Sequence, residues 1–273
     1  MKTRLLLLFA LLLQINSLWA ARVDTIQVKA HKMNKQVKNV VILPEDYSES
    51  SHYPVLYLLH GATDNYRSWI TKCPVIKDYA DRYQMIIVCP DGGYTSWYFD
   101  SPIDKKMQYE SYITKDLVSF VDKNYATVEK REGRAILGLS MGGHGALYLA
   151  FRHQDMWSIA GSMSGGVDFT PFPLNWDIPK RLGAYAANRE RWEKNTVIDQ
   201  VYLLTPHALK IKFDCGREDF FFNVNNALHK KLDYCNIPHE FTVRPGNHNW
   251  DYWRNAIKYQ LIFIDDCFKH PSH

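Results

Sequence analysis

The chain has 273 residues, 46% hydrophobic and 23% charged, enough apolar content to bury a large core and too much for a disordered or fibrous polymer. Its formal charge of +4 is spread over scattered lysines with no basic run among aromatics, which argues against a nucleic-acid partner. The five cysteines lack the close Cys/His spacing of a zinc site, so no metal centre is expected, and at most two disulfides can form.

Met1-Lys2-Thr3-Arg4 is basic and Leu5 to Leu13 is apolar, but Gln14 and Asn16 interrupt the run before it is long enough to span a bilayer. With Ala20 and Ala21 as small residues at the cut, residues 1–20 read as a signal peptide and residues 21–273 as a single domain. The expected location is secreted or periplasmic, without membrane insertion. Losing Lys2 and Arg4 takes the charge from +4 to +2.

Ile26-Gln27-Val28 alternates and Val37 to Leu43 is β-branched up to Pro44, predicting an antiparallel pair. Short strands are then predicted at 55–59, 85–88, 135–137, 159–163, 209–213 and 241–243, most of them separated by helical stretches. The clearest helix is Tyr109 to Tyr125, with Ile113, Leu117, Val118 and Val121 on one face. Such alternation predicts an α/β-hydrolase-type architecture, a mostly parallel central sheet with helices on both faces. From about 165 to 206 it stops, and Phe169, Phe172, Trp176, Tyr185 and Trp192 appear among prolines and charges. This segment reads as a small inserted cap that forms one wall of a pocket.

The strongest chemical signal is Gly138-Leu139-Ser140-Met141-Gly142, between the apolar run Ala135-Ile136-Leu137 and a helix beginning near His144. A serine on a sharp strand-to-helix turn is a nucleophile elbow, and glycine on both flanks removes collisions with strand and helix. The Met141 N–H, at the helix start, then points toward the oxygen that becomes negative during attack. Serine needs a histidine base and a carboxylate to orient it. In this fold class they follow in the order serine, acid, histidine.

Of the later histidines, His229 lies within a helix, His239 opens a strand and His270 and His273 are in a tail. His248, in the loop Arg244-Pro245-Gly246-Asn247-His248 between a strand and a helix, is the predicted base. Asp214, Glu218 and Asp219 are the available acids; Asp219, three residues past Gly216, is best placed to reach the His248 loop. The second oxyanion donor is assigned to Ala62 in Leu59-His60-Gly61-Ala62, with Gly61 as alternative. His60 and His144 are read as holding and packing groups. Trp97, Tyr98, Trp176 and Trp250 are candidates for stacking on substrate. Cys89 and Cys215 end strands as buried thiols, while Cys235 and Cys267, each near a helix C-terminus, are placed so that a bridge is conceivable.

Together, Tyr53 to Gly61, Asp91-Gly92-Gly93 with Ser96-Trp97-Tyr98, Gly138 to Gly143, Gly216 to Asp219 and Gly246-Asn247-His248 resemble the esterase D-like family. That family holds feruloyl esterases, some acetylxylan esterases, S-formylglutathione hydrolase and the mycobacterial mycolyltransferases. The resemblance covers nearly the whole chain after residue 20. It implies Ser140, Asp219 and His248 as a triad, Met141 with the His60-Gly61-Ala62 loop as oxyanion hole, and no metal or organic cofactor. By the same resemblance the expected activity is that of a serine carboxylesterase removing feruloyl or acetyl groups from plant polysaccharides. Acyl transfer to a sugar acceptor, or an inactive carbohydrate-binding relative, are the alternatives.

Overall fold

The computed structural model describes residues 21–270; the signal-peptide reading falls on residues 1–20, outside them. The described chain runs β1 (Arg22–Ala30), β2 (Lys35–Leu43), β3 (Val55–Leu59), α1 (Ser68–Lys72), α2 (Ile76–Tyr83) and β4 (Ile86–Pro90). A helical segment follows, α3 (Tyr109–Ser111) and α4 (Val118–Asn124) joined by a π-helical stretch at Tyr112–Leu117. The second half is β5 (Arg134–Leu139), α5 (Met141–Arg152), β6 (Ile159–Met163), α6 (Ile178–Leu182), α7 (Arg189–Glu193), β7 (Lys210–Gly216), α8 (Phe222–Tyr234), β8 (Glu240–Arg244) and α9 (Trp250–Lys269).

All eight strands form one sheet in the order β1-β2-β4-β3-β5-β6-β7-β8. The β1–β2 and β2–β4 pairs are antiparallel and the others parallel, as the opening pair and the later strand–helix alternation require. Burial on both faces explains the continuous apolar runs. Along β3, Val55, Tyr57 and Leu59 enter one core with α4, α5 and α8, while Leu56 and Leu58 enter a second core with α1, α2 and α9. Each fully buried aliphatic side chain of this kind contributes about 2 kcal/mol.

The 109–125 helix forms on the expected face, with Ile113, Leu117, Val118 and Val121 buried, but it is wound wider at 112–117. There the Thr114 hydroxyl donates to the Glu110 carbonyl (2.7 Å), the acceptor that the Thr114 N–H would use in a regular α-turn. All five cysteines are free, and the conceivable Cys235–Cys267 bridge is not formed. The reason is topological: α8, which ends beside Cys235, packs on one face of the sheet, and α9, which carries Cys267, packs on the other. No described helix is long and apolar enough to cross a membrane.

The segment 165–206 folds as α6, α7 and two 3₁₀ turns, Tyr185–Ala187 and Val197–Leu203. Phe169, Ile178, Leu182, Trp192 and Val197 are fully buried and join the core around α5, so the segment is fused to the domain. His144 of α5 is the polar bolt of this junction. Its Nδ1 lies 3.0 Å from the Trp97 carbonyl oxygen and its Nε2 2.9 Å from that of Asn195, a packing role as expected. A neutral ring can donate to only one of them at a time.

Burial pushes the His144 pKa down from 6.5 to about 4, against the two carbonyls, which favour the cation. The unfolded chain therefore takes up a proton near pH 6.5 that the folded ring refuses. His144 has no such effect above that pH, costs up to about 3 kcal/mol as the pH falls toward about 4, and costs no more below it. Urea unfolding across this window is expected to show a steeper acid loss of stability in the wild type than in His144→Gln; equal slopes would contradict the assignment.

Candidate active site

Ser140 sits between β5 and α5 at φ +53°, ψ −117°, a conformation that costs a non-glycine residue of order 1–3 kcal/mol and persists only when its surroundings enforce it. They do so through the backbone. The Ser140 N–H donates to the Met163 carbonyl (3.0 Å), and the Ser140 carbonyl accepts from His144 (3.0 Å) and Gly166 (3.3 Å). A Cβ on Gly138 would lie 2.2 Å from the Gly142 carbonyl oxygen, and one on Gly142 would lie 2.6 Å from the carbonyl oxygens of Leu59 and His60. Helix, strand and the loop after β3 thus meet with no room for a side chain.

His248, in the loop between β8 and α9, places Nε2 2.8 Å from Ser140 Oγ. Its Nδ1 is 2.9 Å from Asp219 Oδ2 and 3.1 Å from Oδ1. A carboxylate only accepts, so Nδ1 carries the proton and Nε2 is free to take one from the serine. Asp219, 5% exposed, is fixed by the Phe221 N–H, which donates to Oδ1 at 2.8 Å.

The neighbouring acids do other work. Asp214, fully buried in β7, accepts from Tyr252 Oη (2.8 Å) and Gln260 Nε2 (2.6 Å) and so ties α9 to the sheet; burial raises its pKa. Glu218 accepts the Gly246 N–H (2.6 Å) while its own N–H donates to the Gly246 carbonyl (3.1 Å), clasping the acid loop to the base loop. Arg217 pairs with neither acid and lies 4.6 Å over the Phe222 ring.

On the other side of Ser140, a Cβ on Gly61 would lie 2.7 Å from Leu139 Cδ1 and 3.4 Å from Ser140 Cβ. The N–H groups of Ala62 and Met141 have no acceptor among the described residues, the condition for donating to a ligand. His60 holds this loop. Its Nε2 accepts the Gly92 N–H (2.8 Å), which leaves Nδ1–H to donate to the Gly61 carbonyl (2.7 Å). Burial lowers its pKa, in keeping with that neutral ring.

The cleft over Ser140, about 260 Å³, is lined by Gly61, Ala62, Lys72, His248 and the aromatic rings of Trp176, Phe220, Trp250 and Trp253. Two of the four expected stacking residues, Trp176 and Trp250, are therefore at the site. Trp97 and Tyr98 are not, and their assignment to substrate is corrected. Both have positive φ, +59° and +60°, and both side chains are buried. Tyr98 packs on Gly92 and Gly145, and its hydroxyl bonds the His60 backbone N–H and carbonyl at 3.1 Å each. Trp97 donates its indole N–H to the Trp176 carbonyl (3.2 Å). They support the walls from beneath.

Phe220 and Phe221, which carried no signal beyond following Asp219, turn out to matter. The Phe220 ring centroid is 4.3 Å from that of His248, and Phe221 and Trp253 approach His248 edge-on at 5.3 and 5.0 Å. Trp176 stacks on Phe220 at 5.8 Å, so one aromatic wall runs from the 165–206 segment to the imidazole. Lys72 pairs with Asp64 and lies 5.3 Å over the Trp250 ring, adding a cation beside that ring.

Residues 30–264 match the model of the family described as "Putative esterase". The chain belongs to that family. A Caldicellulosiruptor saccharolyticus acetyl esterase is 26% identical over 248 residues, 82% of this chain and 91% of that one. Esterase Rv1288 of Mycobacterium tuberculosis is 36% identical over 129 residues, 46% of this chain; the chain spans only 28% of its length. A solved ferulic acid esterase superposes with a TM-score of 0.80 at 28% identity, covering 92% of this chain and 99% of that one. A Staphylococcus aureus fluorophosphonate-binding serine hydrolase, 21% identical with a TM-score of 0.79 over 90% of this chain and 98% of its own, shares the fold.

Because Gly138 faces backbone on the side where its Cβ would go, Gly138→Ala is expected to lower unfolding free energy by about 2 kcal/mol and to slow fluorophosphonate labelling of Ser140. Unchanged labelling and urea midpoint would show that the turn has room to relax.

Proposed function

We propose that this protein is a secreted or periplasmic serine carboxylesterase that removes feruloyl or acetyl groups from plant polysaccharides. The observation that carries the reaction class is the alignment of Ser140 Oγ, His248 and Asp219 at 2.8 and 2.9 Å. In this reading Ser140 attacks the ester carbonyl as His248 Nε2 takes its proton, and the N–H groups of Met141 and Ala62 receive the oxyanion. His248 then passes the proton to the departing alcohol and draws one from water to release the acid. Asp219 keeps the imidazole in the required tautomer and offsets the charge it gains.

The acyl preference is supported by the cleft and by the relatives together. Trp176, Phe220, Trp250 and Trp253 offer flat apolar surfaces suited to a cinnamoyl ring, and a ferulic acid esterase and an acetyl esterase are among the relatives. Export is supported by the basic Met1–Arg4 and apolar Leu5–Leu13 of the sequence.

Purified enzyme compared on methyl ferulate, acetylated xylan and short p-nitrophenyl esters is expected to favour methyl ferulate or acetylated xylan. Ser140→Ala is expected to keep the fold and lose activity on the order of 10⁶-fold. Wild-type turnover by that variant would refute the serine mechanism, and preference for simple short esters alone would refute the substrate. The exported protein is expected to begin at Ala21, which N-terminal sequencing of the periplasmic and culture fractions checks; an intact Met1 there would contradict it.

A further inference from the structure

Away from the cleft, two histidines and an aspartate have no part in the reaction above. His229 and Asp233 are one turn apart on α8 and share a face, and His239, just before β8, meets them across the intervening turn. Their ligand atoms all lie within 4.8 Å of one another. His229 Nδ1 is 2.8 Å from His239 Nε2, His229 Nε2 is 3.4 Å from Asp233 Oδ2, and His239 Nε2 is 3.8 Å from Asp233 Oδ1.

Hydrogen-bond accounting leaves the cluster short of positive charge. His239 Nδ1 lies 2.8 Å from the Ile237 carbonyl, which only accepts, so the proton is on Nδ1 and Nε2 turns its lone pair inward. His229 must then donate from Nδ1, and a neutral His229 ring is left with its Nε2 lone pair against the Asp233 carboxylate. A proton on His229 relieves that repulsion, and so does a cation held by all three groups. The backbone anchor on His239 is also the arrangement that orients metal-ligating imidazoles.

We propose that His229, Asp233 and His239 form a divalent-metal site, with zinc the best match to two imidazoles and one carboxylate. Ligands about 2.1 Å from a tetrahedral zinc lie about 3.4 Å apart; one ligand atom from each of the three residues already lies within 4.8 Å of the others, so side-chain rotation has only to draw the set together. The His239 side chain is 2% exposed, and Phe213 stacks on it at 5.6 Å, so one ligand is preset. His229 and Asp233, at 35% and 60% exposure, can swing to open the short pair and leave a fourth position to water. Each imidazole gives zinc the lone pair of one ring nitrogen and keeps its single proton on the other, so a proton leaves to solvent only where His229 was protonated on both nitrogens.

The site ties the far end of α8 to the start of β8. α8 begins just after Asp219, and β8 leads into the His248 loop, so the metal braces the two elements that adjoin the acid and base loops without touching either residue.

Zinc titration of untagged protein by calorimetry is expected to show one equivalent bound, equally in wild type and in Cys235→Ser, which removes the exposed thiol nearby. His239→Gln and the solvent-facing Asp233→Asn are each expected to weaken binding at least about 10-fold. A Tm rise of about 5 °C is expected at zinc about 100-fold above Kd, with turnover of p-nitrophenyl acetate unchanged in Asp233→Asn. Absence of stoichiometric binding, binding that survives both substitutions, or binding that depends on Cys235 would overturn the proposal.

Discussion

The molecule's chemistry rests on a steric fact: three backbones come into contact around Ser140. β5, the first turn of α5 and the loop after β3 approach so closely that Gly138 and Gly142 have no space for a methyl group. That contact holds Ser140 at φ +53° and brings the Gly61 backbone beside it. Nucleophile and candidate oxyanion donors are thereby placed by a single packing event. The sheet supplies the energy, since apolar cores on both faces can sustain a strained turn costing of order 1–3 kcal/mol.

Around that contact, polar groups act mainly as fasteners between loops. His60 joins the Gly61 loop to Gly92, the Tyr98 hydroxyl joins the same loop to the segment below, and Glu218 clasps Gly246. Asp214 pins α9 through Tyr252 and Gln260. Most of these groups are buried, where an unmade bond costs more than a made one returns. The loops around the site are thus tied by side-chain as well as backbone hydrogen bonds.

What could be read from the sequence follows from how local each cause is. The elbow was legible because the Gly138 collision is with Gly142, four residues on, even though Gly142 itself answers the distant loop after β3, and His248 because strand, loop and helix succeed one another around it. Asp219 was separable from Glu218 and Asp214 only as the better placed of three, since the clasp to Gly246 and the anchor to Tyr252 come from distant chain. Trp97 and Tyr98 were misassigned because an inward turn at positive φ leaves no mark on composition or periodicity. Phe220 and Phe221 sit on His248 through a tertiary contact that no spacing announces. For His229, Asp233 and His239 the helical pair is visible as an i, i+4 spacing, but its third member joins it only because the turn after α8 folds His239 back onto the helix.

The Trp176 wall divides labour within the chain. The Trp176 ring, one of four at the cleft, belongs to the 165–206 segment, and its backbone carbonyl is held by the Trp97 indole, whereas Ser140, Asp219 and His248 all stand at strand ends. Substitutions in the 165–206 segment alone can therefore reshape the Trp176 side of the cleft while the proton-transfer apparatus stays intact, so the two can vary independently.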